Sequence, residues 1–202
     1  MILVVGGAGF VGSHVAAALR DAGAEHLIFD SLEKGHRAAM GTSPFVLGDI
    51  RRAADLERVF AEFPISLVMH FAAYIEVGES YRDPSRYWWN NVTGTLSLLE
   101  AMRNHGVDRL VFSSTAAVYG EPECLPLTED HPKRPTSPYG ACKWAAEQMM
   151  ASFSDAYGLQ YVALRYFNAS GCDPAGRLGE DHRPESHLIP IAIDAALGRR
   201  ES

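Results

Sequence analysis

A short apolar strand that feeds a glycine-rich turn and then a helix leaves a chain few ways to fold, and this sequence begins so. Residues Ile2–Val5 are apolar, Gly6 follows at once, and an amphipathic stretch over 11–22 carries helical periodicity. The turn between them, Gly7-Ala8-Gly9-Phe10-Val11-Gly12, satisfies G-x-G-x-x-G, and Gly6 adds a second frame through Gly9 and Gly12. Glycines there allow a tight turn and close backbone approach, and the helix amino terminus then faces an anionic group such as a pyrophosphate. The motif predicts that Gly6, Gly9, Phe10, Val11 and Gly12 cradle a dinucleotide.

The rest of the chain keeps the same rhythm. Apolar runs at 26–29, 45–47, 66–71, 109–113 and 161–165 alternate with helix-length stretches at 54–63, 84–105 and 138–157. A last helix over 188–197 is expected to end at Gly198. Strands that read apolar throughout belong to a parallel sheet covered on both faces. The expectation is an α/β, doubly wound parallel sheet (Rossmann fold) in three α/β/α layers. Two stretches interrupt it, 120–137 and 168–187, both rich in Pro, Gly and acidic residues. The length fits one domain, or one domain plus a fragment of a second; a family resemblance, carried by motifs named in turn, implies a dinucleotide-binding domain over 1–168 and the start of a truncated substrate-binding lobe over 169–202.

Bulk properties exclude several classes. A net charge of -7 with no run of lysines or arginines argues against a nucleic-acid surface. No apolar stretch approaches the ~20 residues of a membrane span, and the first strand starts too early for a leader peptide to precede it. Cys124, Cys142 and Cys172 are widely spaced and odd in number, so neither a disulfide framework nor a CxxC metal site is expected. A reducing, cytoplasmic setting is the simplest expectation.

Asp30 closes the second strand, 18 residues after Gly12, where an acid binds the adenosine ribose diol. Its charge repels a 2′-phosphate and Ser31 follows it, which favours NAD; Lys34 and Arg37 keep NADP as the minority option. Asp49 and Ile50 offer an acceptor and an apolar wall for adenine, with a helix cap as the equal alternative for Asp49. Phe71, Ala72 and Ala73, after the fourth strand, let the cofactor pass close by.

The chemistry centres on Tyr139 and Lys143. Residues four apart share a helix face, and a neighbouring cation lowers a phenol's pKa from near ~10. Ser113, Ser114 and Thr115 end the fifth strand at the sheet edge that faces ligands. Thr115, with Ser114 as a second hydroxyl, is expected to hydrogen-bond a reacting oxygen. Tyr139 would take or return its proton, and Lys143 would hold the phenolate and the nicotinamide ribose.

The chain resembles the extended short-chain dehydrogenase/reductase superfamily and, within it, the UDP-glucose 4-epimerases. The segments that carry the resemblance include Val4 to His14, His70-Phe71-Ala72-Ala73, Val77-Gly78-Glu79-Ser80 and Asn90-Asn91-Val92-Thr93-Gly94-Thr95. Phe112 to Gly120, Ser137-Pro138-Tyr139-Gly140 and Leu164 to Asn168 continue it. The resemblance implies a bound NAD that removes and returns a hydride at C4 of a UDP-hexose, with no net redox. It implies catalytic roles for Thr115, Tyr139 and Lys143, and cofactor contacts at Asn90, Ser113 and Tyr166. Substrate contacts are implied at Phe167 and Asn168, and at His187 and Leu188 where the substrate lobe begins. It also implies a homodimer through the 84–105 and 138–157 segments. Ile75 stands where some members place a cofactor-contacting lysine. Relatives continue past Ser202 into a lobe enclosing the uridine diphosphate, so weaker nucleotide grip is expected of this chain.

Plainer expectations cover the remainder. Gly179-Glu180-Asp181-His182 reads as an acidic loop, with no metal expected. His14 and His70 read as packed, Cys142 as a small helix residue, and Tyr87-Trp88-Trp89 as helix-interface filling. A minimal NAD-dependent dehydrogenase of small alcohols, aldehydes or sugars, and a cofactor-binding module without turnover, are the alternative functions.

Overall fold

The structure, a computed structural model, describes residues 1–182, 185 and 187–199. Arg200 and Ser202, which the sequence reading placed at the chain's end, lie outside these. Six parallel strands form one sheet: β1 (Ile2–Val5), β2 (His26–Asp30), β3 (Phe45–Leu47), β4 (Leu67–His70), β5 (Arg109–Thr115) and β6 (Gln160–Tyr166). Their spatial order is β3-β2-β1-β4-β5-β6. The order reverses between β1 and β4, so the crevice at the carboxyl edge of the sheet opens there.

Alternate residues of the central strands feed two cores. Leu3, Val5, Leu27, Phe29 and Phe112 face one side. They pack there with residues of α2 (Ala53–Glu62), α5 (Gly94–Asn104) and α6 (Pro138–Tyr157). Val4 and Ile28 face the other, with Ala16 of α1 (Phe10–Asp21). The doubly wound α/β/α expectation is met. At the far edge, Val162 and Leu164 of β6 remain exposed, so this strand alternates instead of burying both faces.

Local chemistry accounts for the boundaries. Ser137 caps α6, its hydroxyl accepting from the Gly140 amide at 3.1 Å, and Pro138 supplies the first turn's fixed φ. Gly158, left-handed at φ 77°, ends that helix. The single helix expected over 84–105 is instead α4 (Pro84–Tyr87), a π-helical turn (Trp88–Thr93) and α5. The reason is Asn91: its amide group is pulled into the interior, where it bonds both the N–H and C=O of Tyr74 at 2.9 Å. Apolar periodicity cannot register that insertion. A short helix, α3 (Val77–Arg82), and two 3₁₀ turns (Arg37–Met40 and Ala116–Val118) were also not anticipated. Strands β2, β5 and β6 run one or two residues further than expected, because register with the neighbouring strand extends pairing past the apolar run. The last helix, α7, is Leu188–Ala196.

The chain divides into two units, Met1–Phe167 and Asn168–Ser202. The first holds the whole sheet and α1 to α6. In the second, the described residues comprise a loop and α7, whose Leu188, Ile189 and Ile193 are exposed.

Candidate active site

The glycine turn is forced by space. Gly6 is left-handed at φ 82°, and a Cβ there would lie 2.4 Å from the Ala72 nitrogen. A Cβ on Gly12 would lie 2.2 Å from the Gly6 carbonyl oxygen. Only glycine lets β1 turn into α1 while β4 passes alongside. The α1 amino terminus has no side-chain cap and no acid in its first turn, which suits it to an anion.

Beside it lies an open cleft. Gly6, Gly9, Asp30, Ser31, Asp49, Ile50, Phe71, Ala72, Ala73 and Asn90 line it, so ten of the sequence-nominated residues converge there. Phe10, Val11 and Gly12 sit behind it in α1. The Asp30 carboxylate is buried, accepting from the amides of Ala8 at 3.0 Å and Leu32 at 2.8 Å. Burial raises its pKa, and these backbone bonds oppose the rise.

Asp49 is not a helix cap. Arg52 precedes α2, and the Asp49 carboxylate is instead gripped by the Arg51 guanidinium, with Nε at 2.9 Å and Nη2 at 2.6 Å. Sequence reasoning missed Glu33 and Tyr74 on the same cleft wall, where Lys34 also lies. Their signal was faint: Glu33 is an ordinary loop charge until β2 ends at Asp30.

A second cluster occupies the carboxyl ends of β5 and β6. Thr115 is nearly buried, and its hydroxyl oxygen accepts from the Ala117 amide at 3.2 Å. Tyr139, half-buried in the first turn of α6, has the Thr115 side chain beside its phenol. Burial raises the Tyr139 pKa and the Thr115 side chain opposes the rise. The expected acidification by Lys143 is therefore corrected. Lys143 is buried with its ammonium donating to the Ser113 carbonyl at 2.7 Å and 4.8 Å from the Phe112 ring centre. Its four-residue spacing from Tyr139 shares a face, but the ammonium found a carbonyl. Burial lowers its pKa to about 8.

Ser114 does not face the reacting position either. It is buried and donates to the Glu147 carboxylate, because strand alternation turns it away from Thr115. Glu147 also takes a bidentate pair from Arg165, at 3.0 and 2.6 Å, and Arg165 donates to the Tyr119 hydroxyl at 2.8 Å. This pair went unnoticed in the sequence, although Tyr139, Lys143 and Glu147 recur every four residues on one helix face. Tyr166 pairs with Thr115 in register at the end of β6, and burial raises its pKa. Tyr139 packs against the cluster that contains Tyr74, a cleft wall residue. Phe167 is exposed at the end of the first unit, and Ile75 is exposed after β4.

In the second unit, Asn168 is exposed, and Leu188 opens α7 with most of its surface free. His187 bonds Glu185 through its amide and Nδ1, both at 2.8 Å. Glu180, His182, Glu185 and His187 bring ligand-type atoms within 4.8 Å of one another. The histidine Nδ1 atoms point at the carboxylates, His182 and His187 each 3.1 Å from Glu180, so mutual pairing accounts for the convergence.

Sheet order, glycine turn and terminal acid together define a dinucleotide-binding α/β fold, with Thr115, Tyr139 and Lys143 gathered at its carboxyl edge. Comparison with known proteins narrows this: residues 2–201 match the NAD dependent epimerase/dehydratase family, and the chain belongs to it. It is 52% identical over 200 residues to the UDP-glucose 4-epimerase of Halalkalibacterium halodurans, covering 99% of this chain and 60% of that protein. The UDP-glucose 4-epimerase of Brucella ovis in complex with NAD superposes with a TM-score of 0.96 at 50% identity, over 99% of this chain and 62% of that one. The Bifidobacterium longum enzyme in complex with NAD+ and UDP gives 0.94 at 37% identity, over 100% and 63%. The chain thus spans about three fifths of the length of these relatives. Among the described residues no helix is long and apolar enough to cross a membrane.

Proposed function

We propose that this chain binds NAD in the cleft beside α1 and interconverts UDP-galactose and UDP-glucose by oxidation and reduction at C4. The observation that carries this is the gathering of Thr115, Tyr139 and buried Lys143 at the same sheet edge as the glycine turn. The residues present suit the cofactor: an uncapped helix terminus for the pyrophosphate, Asp30 for the adenosine ribose, and Ile50 against the adenine. NAD supplies the hydride acceptor and donor at C4. Asp49 and Asn90 complete the cofactor contacts, and Ser113, Lys143 and Tyr166 flank its nicotinamide end.

Tyr139 removes the proton from the C4 hydroxyl as the C–H bond breaks, and returns it after the keto sugar has turned over. Thr115 holds that oxygen. Lys143, held by the Ser113 carbonyl, is assigned to the nicotinamide ribose. Ser114, tied to Glu147, positions β5 against α6 and touches no reacting atom. Phe167, Asn168, His187 and Leu188 are assigned to the sugar nucleotide on the strength of the family resemblance.

The same reading makes the protein a cytoplasmic homodimer. Exposed Trp88, Trp89 and Tyr157 give the π-turn and α6 the aromatic surface a helix-bundle interface needs. Purified protein with UDP-galactose and NAD tests the activity. UDP-glucose should form with no steady accumulation of NADH, and the cofactor should copurify. Continuous NADH production would replace the epimerase by a simple dehydrogenase. Sedimentation at micromolar concentration should give twice the chain mass, and a monomer would remove the dimer.

A further inference from the structure

Glu33 lies in the loop after β2, three residues beyond Asp30, and its carboxylate is where two arginines meet. Oε2 accepts from Arg51 Nη2 at 2.7 Å, and Oε1 accepts from Arg86 Nη2 at 2.8 Å and from the Tyr74 hydroxyl. Each arginine has a second carboxylate as well. Arg51 grips Asp49, and Arg86 donates to Glu79 at 2.9 Å with its guanidinium carbon 4.1 Å from the Tyr74 ring centre. Glu33, Asp49 and Tyr74 line the cleft together with Asp30.

Guanidinium is the group best matched to a phosphate, and an arginine near the adenosine ribose is how dinucleotide folds accept a 2′-phosphate. Here two arginines are bonded to the wall of that end of the cleft, and both are spent on carboxylates. Glu33 is the one acid that holds both. Charge alone would assign the loop little meaning, since three carboxylates (Glu33, Asp49, Glu79) face two guanidiniums. The connectivity carries the meaning: removing Glu33 frees a donor on each arginine at once.

We propose that Glu33 is a specificity-determining residue, which excludes a 2′-phosphorylated dinucleotide by keeping Arg51 and Arg86 bound to itself. The inference rests on the reading of the cleft as the NAD site. It differs from direct repulsion by Asp30, because the excluded interaction is an attraction withheld.

The test is titration of the full 202-residue chain and its variants with NADH and NADPH, following nucleotide fluorescence. Glu33→Gln keeps the shape and should raise NADPH affinity relative to NADH by about tenfold, roughly 1.4 kcal/mol. The triple variant Glu33→Gln/Arg51→Gln/Arg86→Gln should lose that gain. Glu33→Asp, one methylene too short to span both arginines, should give a smaller gain and serves if the glutamine variant folds poorly. A ratio unmoved in both single variants overturns the proposal, as does a gain that persists in the triple variant. Wild-type protein that binds neither nucleotide would remove the cofactor reading itself; wild type that binds NADH with an unmoved ratio removes only Glu33.

Discussion

The two halves of the sheet's carboxyl edge solve different problems. Around β1 and β2 the requirement is space: glycines at 6 and 12, an uncapped helix terminus, and a single buried acid held by two amides. Around β5 and β6 the requirement is charge in a dry place. Lys143, Glu147 and Thr115 are nearly inaccessible, and Arg165 is needed to neutralise Glu147. The first half is specified by backbone sterics and tolerates few residue types at few positions. The second is specified by which buried group finds which partner, so changes there should alter chemistry more than binding.

That contrast is open to direct tests, beginning with the largest expected effect. Tyr139→Phe removes the proton carrier and keeps the ring, so turnover should fall about a thousandfold with NAD affinity little changed. Parallel losses in turnover and affinity would erase the distinction between the halves. Gly12→Ala should act the other way. Its Cβ would meet the Gly6 carbonyl at 2.2 Å, and NAD affinity should drop by roughly ten- to a hundredfold through the strained turn. Calorimetric titration separates the two variants.

Asp30→Ala should shift the NAD/NADP affinity ratio by about tenfold toward NADP, because the ribose diol loses its acceptor. An unaltered ratio would detach Asp30 from the adenosine.

Effects of pH on stability come last, and they have the same sign in the acid and alkaline ranges. His70 is buried in β4, its Nε2 3.0 Å from the Thr95 hydroxyl, and burial lowers its pKa to about 3. Between about 3 and 6.5 the unfolded chain binds the proton and the folded one does not. Stability therefore falls with acid by up to ~1.4 kcal/mol per pH unit in that window. Lys143 has its pKa lowered from 10.5 to about 8, so between those values the unfolded chain again holds more protons and stability rises with pH. Activity should move oppositely there, since the charge on Lys143 is lost above about 8. Urea midpoints and rates across both windows check this; a His70→Gln variant should flatten the acid limb.

Much of the architecture was legible because parallel strands announce themselves as short apolar runs between amphipathic helices. The glycine turn, Asp30, and the Thr115, Tyr139 and Lys143 positions were legible for the same reason: each is tied to a strand end or a helix face. Asn91 was not, because a π-helical turn and an ordinary helix present the same apolar spacing. Ser114 was misread since its partner, Glu147, lies 33 residues away on another element. The arginine clasp on Glu33 joins residues 18 and 53 positions apart, and no local pattern encodes such a meeting.

The sequence by itself determined the order of strands and helices, the places where only glycine fits, and the family to which the chain belongs. Tertiary structure alone decided where each charge points. Lys143 turned to a backbone carbonyl, Ser114 to a carboxylate, and Arg51 and Arg86 to Glu33. The reason is physical: local conformation follows from neighbours along the chain, whereas a buried or half-buried charge must take whatever partner the packed fold brings within hydrogen-bonding distance.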